Sequence, residues 1–114
     1  MTQIFREDGT VVPVTAVLAT PNVVVQVKSA EGKDGYDAVQ IGAGQTKKIG
    51  KSQAGHLKDL ANCKSLKEFR VAKEDVADLK RGDQISVAVF SDGDEVKVIG
   101  VSKGKGFQGV VKRH

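Results

Sequence analysis

The sequence predicts an all-β, mainly antiparallel fold: a β-barrel with a short helical insertion around 52–62 and an extended basic, glycine-rich C-terminal segment. Three observations carry this expectation. Six or so short runs rich in β-branched residues recur with turn residues between them. Only one stretch has the apolar spacing of a helix. Aromatics are 4% of the 114 residues, so the core must be aliphatic, chiefly valine. The length suits one domain, since two would each fall below the usual size. We therefore expect a barrel domain over 1–101 and, over 102–114, the start of an extended loop.

Val11–Leu18 and Asn22–Lys28 are the first two β-rich runs, and Thr20-Pro21-Asn22 between them predicts a hairpin. Pro13 cannot donate to a ladder, which places it near a strand start or on an edge. Gly35–Ile41 alternates apolar and polar residues as a half-buried strand does. Ser52 is a candidate cap for a helix from about Gln53 to Asn62, with Ala54, Leu57 and Leu60-Ala61 on one side. Cys63 is expected as a small buried residue on that helix and His56 as a surface residue on its basic face. Leu66–Val71 is a shorter alternating run, and Val76 and Leu79 suit a turn of helix after Lys73. Gln84–Phe90 and Glu95–Gly100 flank Ser91-Asp92-Gly93-Asp94, an Asp-Gly turn that predicts a second hairpin.

The net charge of +4 conceals a segregated pattern. Residues 47–67 hold six bases and one acid, and residues 96–114 hold five bases and no acid. The segments 1–46 and 68–95 are both net acidic. Basic blocks of this kind are often plain solvated surface, and they are also how a small domain meets phosphates. The single cysteine excludes a disulfide framework and a cysteine-based zinc site. No apolar stretch approaches the ~20 residues of a membrane span. Met1–Asp8 lacks the basic-then-apolar order of a signal peptide, so a soluble cytosolic domain is expected.

Two motifs invite a nucleotide. Gly104-Lys105-Gly106-Phe107-Gln108-Gly109 matches G-x-G-x-x-G, but a dinucleotide site also needs a following helix and an acid about 20 residues on, and no acid follows Glu95. Gly44–Ser52 nearly spells a P-loop, with five residues between the glycines instead of four, which changes which amides turn inward on a phosphate. His56 with Cys63 lacks a third orienting group. Asp92, Asp94 and Glu95 are better explained as a solvated hairpin tip than as calcium ligands. The sequence thus predicts no enzyme, no metal and no cofactor.

The C-terminal segment differs in kind. Lys103, Lys105, Lys112 and Arg113 are interspersed with Gly104, Gly106 and Gly109 around one aromatic, Phe107. Glycine lets backbone approach a nucleic-acid strand closely, the cations neutralise successive phosphates, and an aromatic ring can stack on a base. A basic tail with Phe107 folded back on the barrel is the competing expectation.

Ser102-Lys103-Gly104-Lys105-Gly106-Phe107-Gln108-Gly109-Val110-Val111-Lys112-Arg113-His114 closely resembles the signature of the family of large ribosomal subunit protein three. Met1–Phe5 with Asp8-Gly9, Val12–Thr15, Asp34–Gln40, Ala54-Gly55-His56 and Glu68-Phe69-Arg70 resemble that family in the same order. Lys97 departs from it, standing where the signature usually has an acid or amide. The chain resembles roughly the first half of a member. The resemblance implies a translation-protein-like barrel and direct binding of large-subunit rRNA by Ser102, Lys103, Gly104, Lys105, Gly106, Phe107, Gly109, Lys112, Arg113 and His114. It also implies a part in nucleating subunit assembly, neighbouring ribosomal proteins as further partners, and a cytoplasmic or organellar ribosome as the location. Lys47, Lys48, Lys51 and His56 form a second candidate basic patch. No membrane and no small-molecule substrate are expected. The alternative is a small barrel serving as a protein–protein interaction module without nucleic-acid binding.

Overall fold

Hydrogen bonding in the computed structural model, which describes residues 1–113, sorts six strands into two separate antiparallel sheets. Strands β1 (Thr2–Phe5) and β2 (Val11–Val14) pair with each other alone. The main sheet contains β3 (Asn22–Lys28), β4 (Ala38–Gln45), β5 (Cys63–Arg70) and β6 (Gln84–Ile85), in the order β5-β4-β3-β6. Two short helices accompany it, α1 (Lys51–His56) and α2 (Lys73–Asp78). The antiparallel all-β character is as expected. The closed barrel is not formed: the two sheets do not join among the described residues, and the parts 15–18, 86–90 and 95–100 of the expected strands find no strand partner.

The N-terminal pairing corrects one expectation. Thr20-Pro21-Asn22 does not fold β2 back on β3; β2 pairs with β1 across the turn at 6–10. That loop closes a shorter span and carries its own chemistry. Gly9 takes φ +81°, Arg6 N–H donates to Thr10 O at 3.0 Å, and Thr10 N–H donates to Asp8 Oδ1 at 2.9 Å. Pro13 lies opposite Gln3 in this two-stranded ribbon, where a missing N–H disturbs no central ladder.

The main sheet is covered on both faces, and β3 shows how. The β3–β4 register slips between Val24 and Gln26, so Val25 is bulged out of the ladder. Val24 and Val25 are both fully buried, on different sides. Val24 packs with Val39 and with Val76 of α2, backed by Ile41, Val71, Leu79 and Ile85. Val25 packs with Leu57 and Cys63, backed by Ile49, Leu60 and Leu66. The core is thus two small aliphatic clusters back to back.

Three further expectations change in detail. Helix α1 is shorter than 53–62. Gly50 rather than Ser52 occupies its N-cap, without a side-chain bond, and Asp59 at φ +71° breaks the helical path soon after Leu57. Cys63 is buried as expected, but in β5, with Sγ 3.3 Å from the Ala61 carbonyl oxygen. The second hairpin exists only as its turn. Asp94 N–H donates to Ser91 O, Ser91 N–H donates to Asp94 Oδ2, and Gly93 takes φ +92°. Beside that turn, β6 stops at Ile85, Val87–Val89 form one 3-10 turn capped by Ser86, and 95–101 pair with nothing described. Alternation makes a strand only where a ladder partner and an apolar surface meet it. Here Val96, Val98, Ile99 and Val101 remain exposed.

The resulting shape is open. The radius of gyration is 19.7 Å, against about 13 Å for a compact chain of about 100 residues. The accessible surface is 10349 Å², against about 6,000 Å² for a compact protein of this mass.

Candidate nucleic-acid interface

The C-terminal segment leaves the sheet as irregular backbone, exposed at every residue from Ser102 to Arg113. No helix follows Gly104–Gly109 among the described residues, which removes the dinucleotide reading of that run. Gly106 takes φ +66°, and the Gln108 side-chain amide donates to Lys105 O at 2.5 Å, so 105–108 form a closed knuckle. Phe107 stands on that knuckle fully exposed and is not folded back on the sheets. Lys103, Lys105, Lys112 and Arg113 flank it in the sequence, with no carboxylate within salt-bridge distance among the described residues. His114 lies outside the described residues.

The second patch is built on the segment that connects β4 to β5. Thr46 N–H donates to Asn62 O at 3.0 Å and closes the base of the loop, while Leu57 and Leu60 pin it to the Val25 face of the sheet. Lys47, Lys48 and Lys51 are exposed on this lobe. His56 is half-buried and turned back on the sheet, its Nε2 donating to Gln40 Oε1 at 2.6 Å. It anchors α1 and does not face solvent with the lysines. A strand–loop–helix does surround Gly44–Ser52, but the sheet is antiparallel and α1 has six residues, a poor match to a phosphate-binding loop.

One feature of this lobe is invisible in the order of residues. Arg81 lies in the net acidic segment, yet one guanidinium nitrogen donates to His56 O at 2.9 Å and to Lys58 O at 2.8 Å. The 79–83 turn that carries it is fixed by Lys80 N–H donating to Asp83 Oδ2 at 2.7 Å and by Gly82 N–H donating to Val24 O at 2.8 Å. Lys80 and Arg81 therefore join the basic lobe. Their only advance signal was Lys-Arg at a turn, and contact with residues 23 and 25 positions away has no sequence signature.

A 420 Å³ cleft beside this lobe is lined by Thr20, Pro21, Val23, Gly42, Ala61 and Cys63 among others. Cys63 is its one ionisable lining group. His56 and Cys63 bond to different partners, Gln40 and the Ala61 carbonyl, and form no nucleophile–base pair.

Comparison with known proteins finds similarity along the whole chain. The model of the family described as ribosomal protein L3 matches residues 59–114. The large ribosomal subunit protein uL3 of Dehalococcoides mccartyi is 50% identical over 113 residues, covering 99% of this chain and 54% of the relative. The proteins of the same name from Geobacillus thermodenitrificans and Alteromonas mediterranea are 48% and 46% identical, covering 100% and 99% of this chain. The chain spans about half the length of these curated relatives. The open basic segment carrying Gly104, Gly106 and Gly109 thus lies in a chain that is similar along its whole length to large ribosomal subunit proteins uL3, and within the stretch that matches the model of the ribosomal protein L3 family.

Proposed function

We propose that the chain acts as a non-catalytic constituent of the large ribosomal subunit, binds large-subunit rRNA directly, and helps to nucleate subunit assembly. The observation that carries this reading is the segment 102–113. It is basic, free of acids, exposed throughout, and within the stretch matched by the ribosomal protein L3 model. Lys103, Lys105, Lys112 and Arg113 contact phosphates. Gly104, Gly106 and Gly109 admit close backbone approach, and Phe107 stacks on a base. Ser102 and His114 flank these contacts. Within this reading, 1–101 is the body that positions the segment, and 102–114 is the beginning of the rRNA-binding loop. Exposed Val96, Val98 and Ile99 support neighbouring ribosomal proteins as further partners. The ribosome is the place of action.

The test is binding of the chain to a transcript of large-subunit rRNA over a range of salt. Neutralisation of about five phosphates by the C-terminal segment contributes a log–log slope of about −4. K103E/K105E should weaken binding at every salt concentration and flatten the slope. Binding with no salt dependence overturns the reading and favours a protein-interaction module. For the assembly role, the chain should bind the naked transcript without any other ribosomal protein present; an obligatory earlier partner contradicts it.

A further inference from the structure

From Ser91 to Lys105 the side chains come in blocks: acids, then an apolar run, then lysines. Asp92, Asp94 and Glu95 precede Val96, Val98, Ile99 and Val101, and Lys103 and Lys105 follow. The apolar run has no ladder partner among the described residues, and no backbone hydrogen bond there involves 95–101. Val98 and Ile99 are 84% and 82% exposed. Asp92, Glu95, Lys103 and Lys105 form no ion pair among the described residues. Monomers seldom leave such a patch uncovered, and its unpaired backbone is a template for another strand.

The order of the blocks selects the strand that fits. An identical strand, antiparallel and related by a twofold axis at Val98, sets Val98 against Val98, Val96 against Gly100, Lys97 against Ile99 and Glu95 against Val101. The Ser91–Asp94 turn and Glu95 of each copy then lie at the Ser102–Lys105 end of the other. Each acidic flank meets a basic one, and symmetry makes the contact twice. Parallel pairing would set acids beside acids and lysines beside lysines, which is unfavourable. Area is not limiting. The chain exposes about 4,000 Å² more than a compact protein of its mass, and a specific interface buries about 1,600 Å² in total.

We propose that a second copy of this chain docks on 95–101 by antiparallel strand pairing about Val98, with the acids of each copy facing Lys103 and Lys105 of the other. The pairing belongs to the free chain and stands on the charge order alone. One consequence rests on the rRNA-binding reading above: phosphates and the second copy compete for Lys103 and Lys105, so RNA separates the pair.

Sedimentation velocity of the full chain, freed of nucleic acid and run over a range of concentration, tests it. The mass should double and stop at two, and salt should weaken the dimer. D92K/E95K changes two exposed acids and leaves Asp94, whose carboxylate accepts from Ser91 N–H, in place. Either D92K/E95K or K103E/K105E alone opposes like charges, and each should weaken its own dimer about tenfold or more. An equimolar mixture of the two variants restores both contacts and should dimerise as the wild type does. A wild-type monomer at every concentration overturns the pairing and leaves 95–101 to a different protein. Growth beyond two copies overturns it in favour of unspecific apolar association. A mixture no tighter than its components overturns the register. Adding the large-subunit rRNA transcript should convert dimer to RNA-bound monomer. Dimer bound intact to the transcript overturns the competition alone, and dimer that ignores the transcript overturns the rRNA-binding reading while the pairing stands.

Discussion

Tyr36 and Glu68, 32 residues apart, are joined by a 2.6 Å bond in which the phenol donates to Oε1. Lys28 completes the arrangement: its Nζ donates to the Tyr36 oxygen at 2.9 Å and lies 2.8 Å from Glu68 Oε2. Lys28 and Arg70 stand 5.1 and 4.9 Å from the Tyr36 ring centroid. In the ladder, Lys28 lies opposite Ala38 and Ala38 opposite Arg70, so the cluster ties one end of three adjacent strands. Tyr36→Phe removes the donor to Glu68 and the acceptor for Lys28 while keeping the ring. We expect a lower urea midpoint with an unchanged m-value, and hydrogen exchange should quicken first at 28, 38 and 70.

The same cluster sets a pH dependence. The bond from Lys28, and then that from Tyr36, holds the Glu68 carboxyl below its ordinary value of 4.5. A carboxylate with a lowered folded pKa stabilises fully above the unfolded value, and the contribution is lost as pH falls through the folded one. The urea midpoint should thus be level down to about pH 5 and decline below it. Glu68→Gln should remove that part of the decline. Lys28 is raised above 10.5 by Glu68 and Tyr36, so its contribution is full below 10.5 and is lost only in stronger alkali.

Gly42 is where the sheet tolerates no side chain. A Cβ there would overlap Cys63 Sγ and come within 2.9 Å of Val25 Cγ2. Gly42→Ala should cost about 1–3 kcal/mol by overpacking, read from urea unfolding. Adding Cys63→Ala removes the sulfur but leaves its Cβ 3.0 Å from the new methyl, so the double variant should recover part of the loss. Strict additivity of the two substitutions would contradict the contact.

How much of this was legible in the sequence follows from what each feature depends on. The strands β3, β4 and β5 and the turn of helix near Val76 are local patterns that also meet a covering surface, so pattern and structure agree. Val87, Val89, Val96 and Val98 carry equally clear alternation, but alternation states only that a strand would suit, and no described partner meets them. The partner of β2 is not legible in its own pattern, since a turn lies on either side of it; the left-handed Gly9 and the Asp8 bond favour β1. The tail was readable because charge and glycine content need no tertiary context. The Arg81 clamp depends wholly on packing, and nothing local announces it.

Leu57 supplies the largest fully buried side chain and seats the basic lobe. Leu57→Ala should cost about 2–5 kcal/mol in unfolding, with the loss concentrated in residues 46–62 by hydrogen exchange. If the protection of 46–62 is unaffected, the lobe is held by its polar clamps alone.

Phe107 should behave oppositely. It touches no core, so Phe107→Ala should leave the urea midpoint unchanged. Under the stacking role it should weaken rRNA binding by about 1–3 kcal/mol, roughly 5- to 150-fold. The salt slope should stay as it was, since no charge is removed.

The Ser91–Asp94 turn closes without arms to join, and this bears on kinetics. The slow part of making a hairpin is bringing two flanks into register around a loop whose conformational freedom must first be surrendered. Here that surrender has already been made by Gly93 and by two hydrogen bonds. When a surface arrives that can cover Val87, Val89, Val96 and Val98, the flanks can pair outward from a formed nucleus once the 3-10 turn at Val87–Val89 opens. Such pairing belongs to the microsecond range of hairpin formation. The formed turn therefore lowers the entropic cost of pairing its flanks, should a surface cover them.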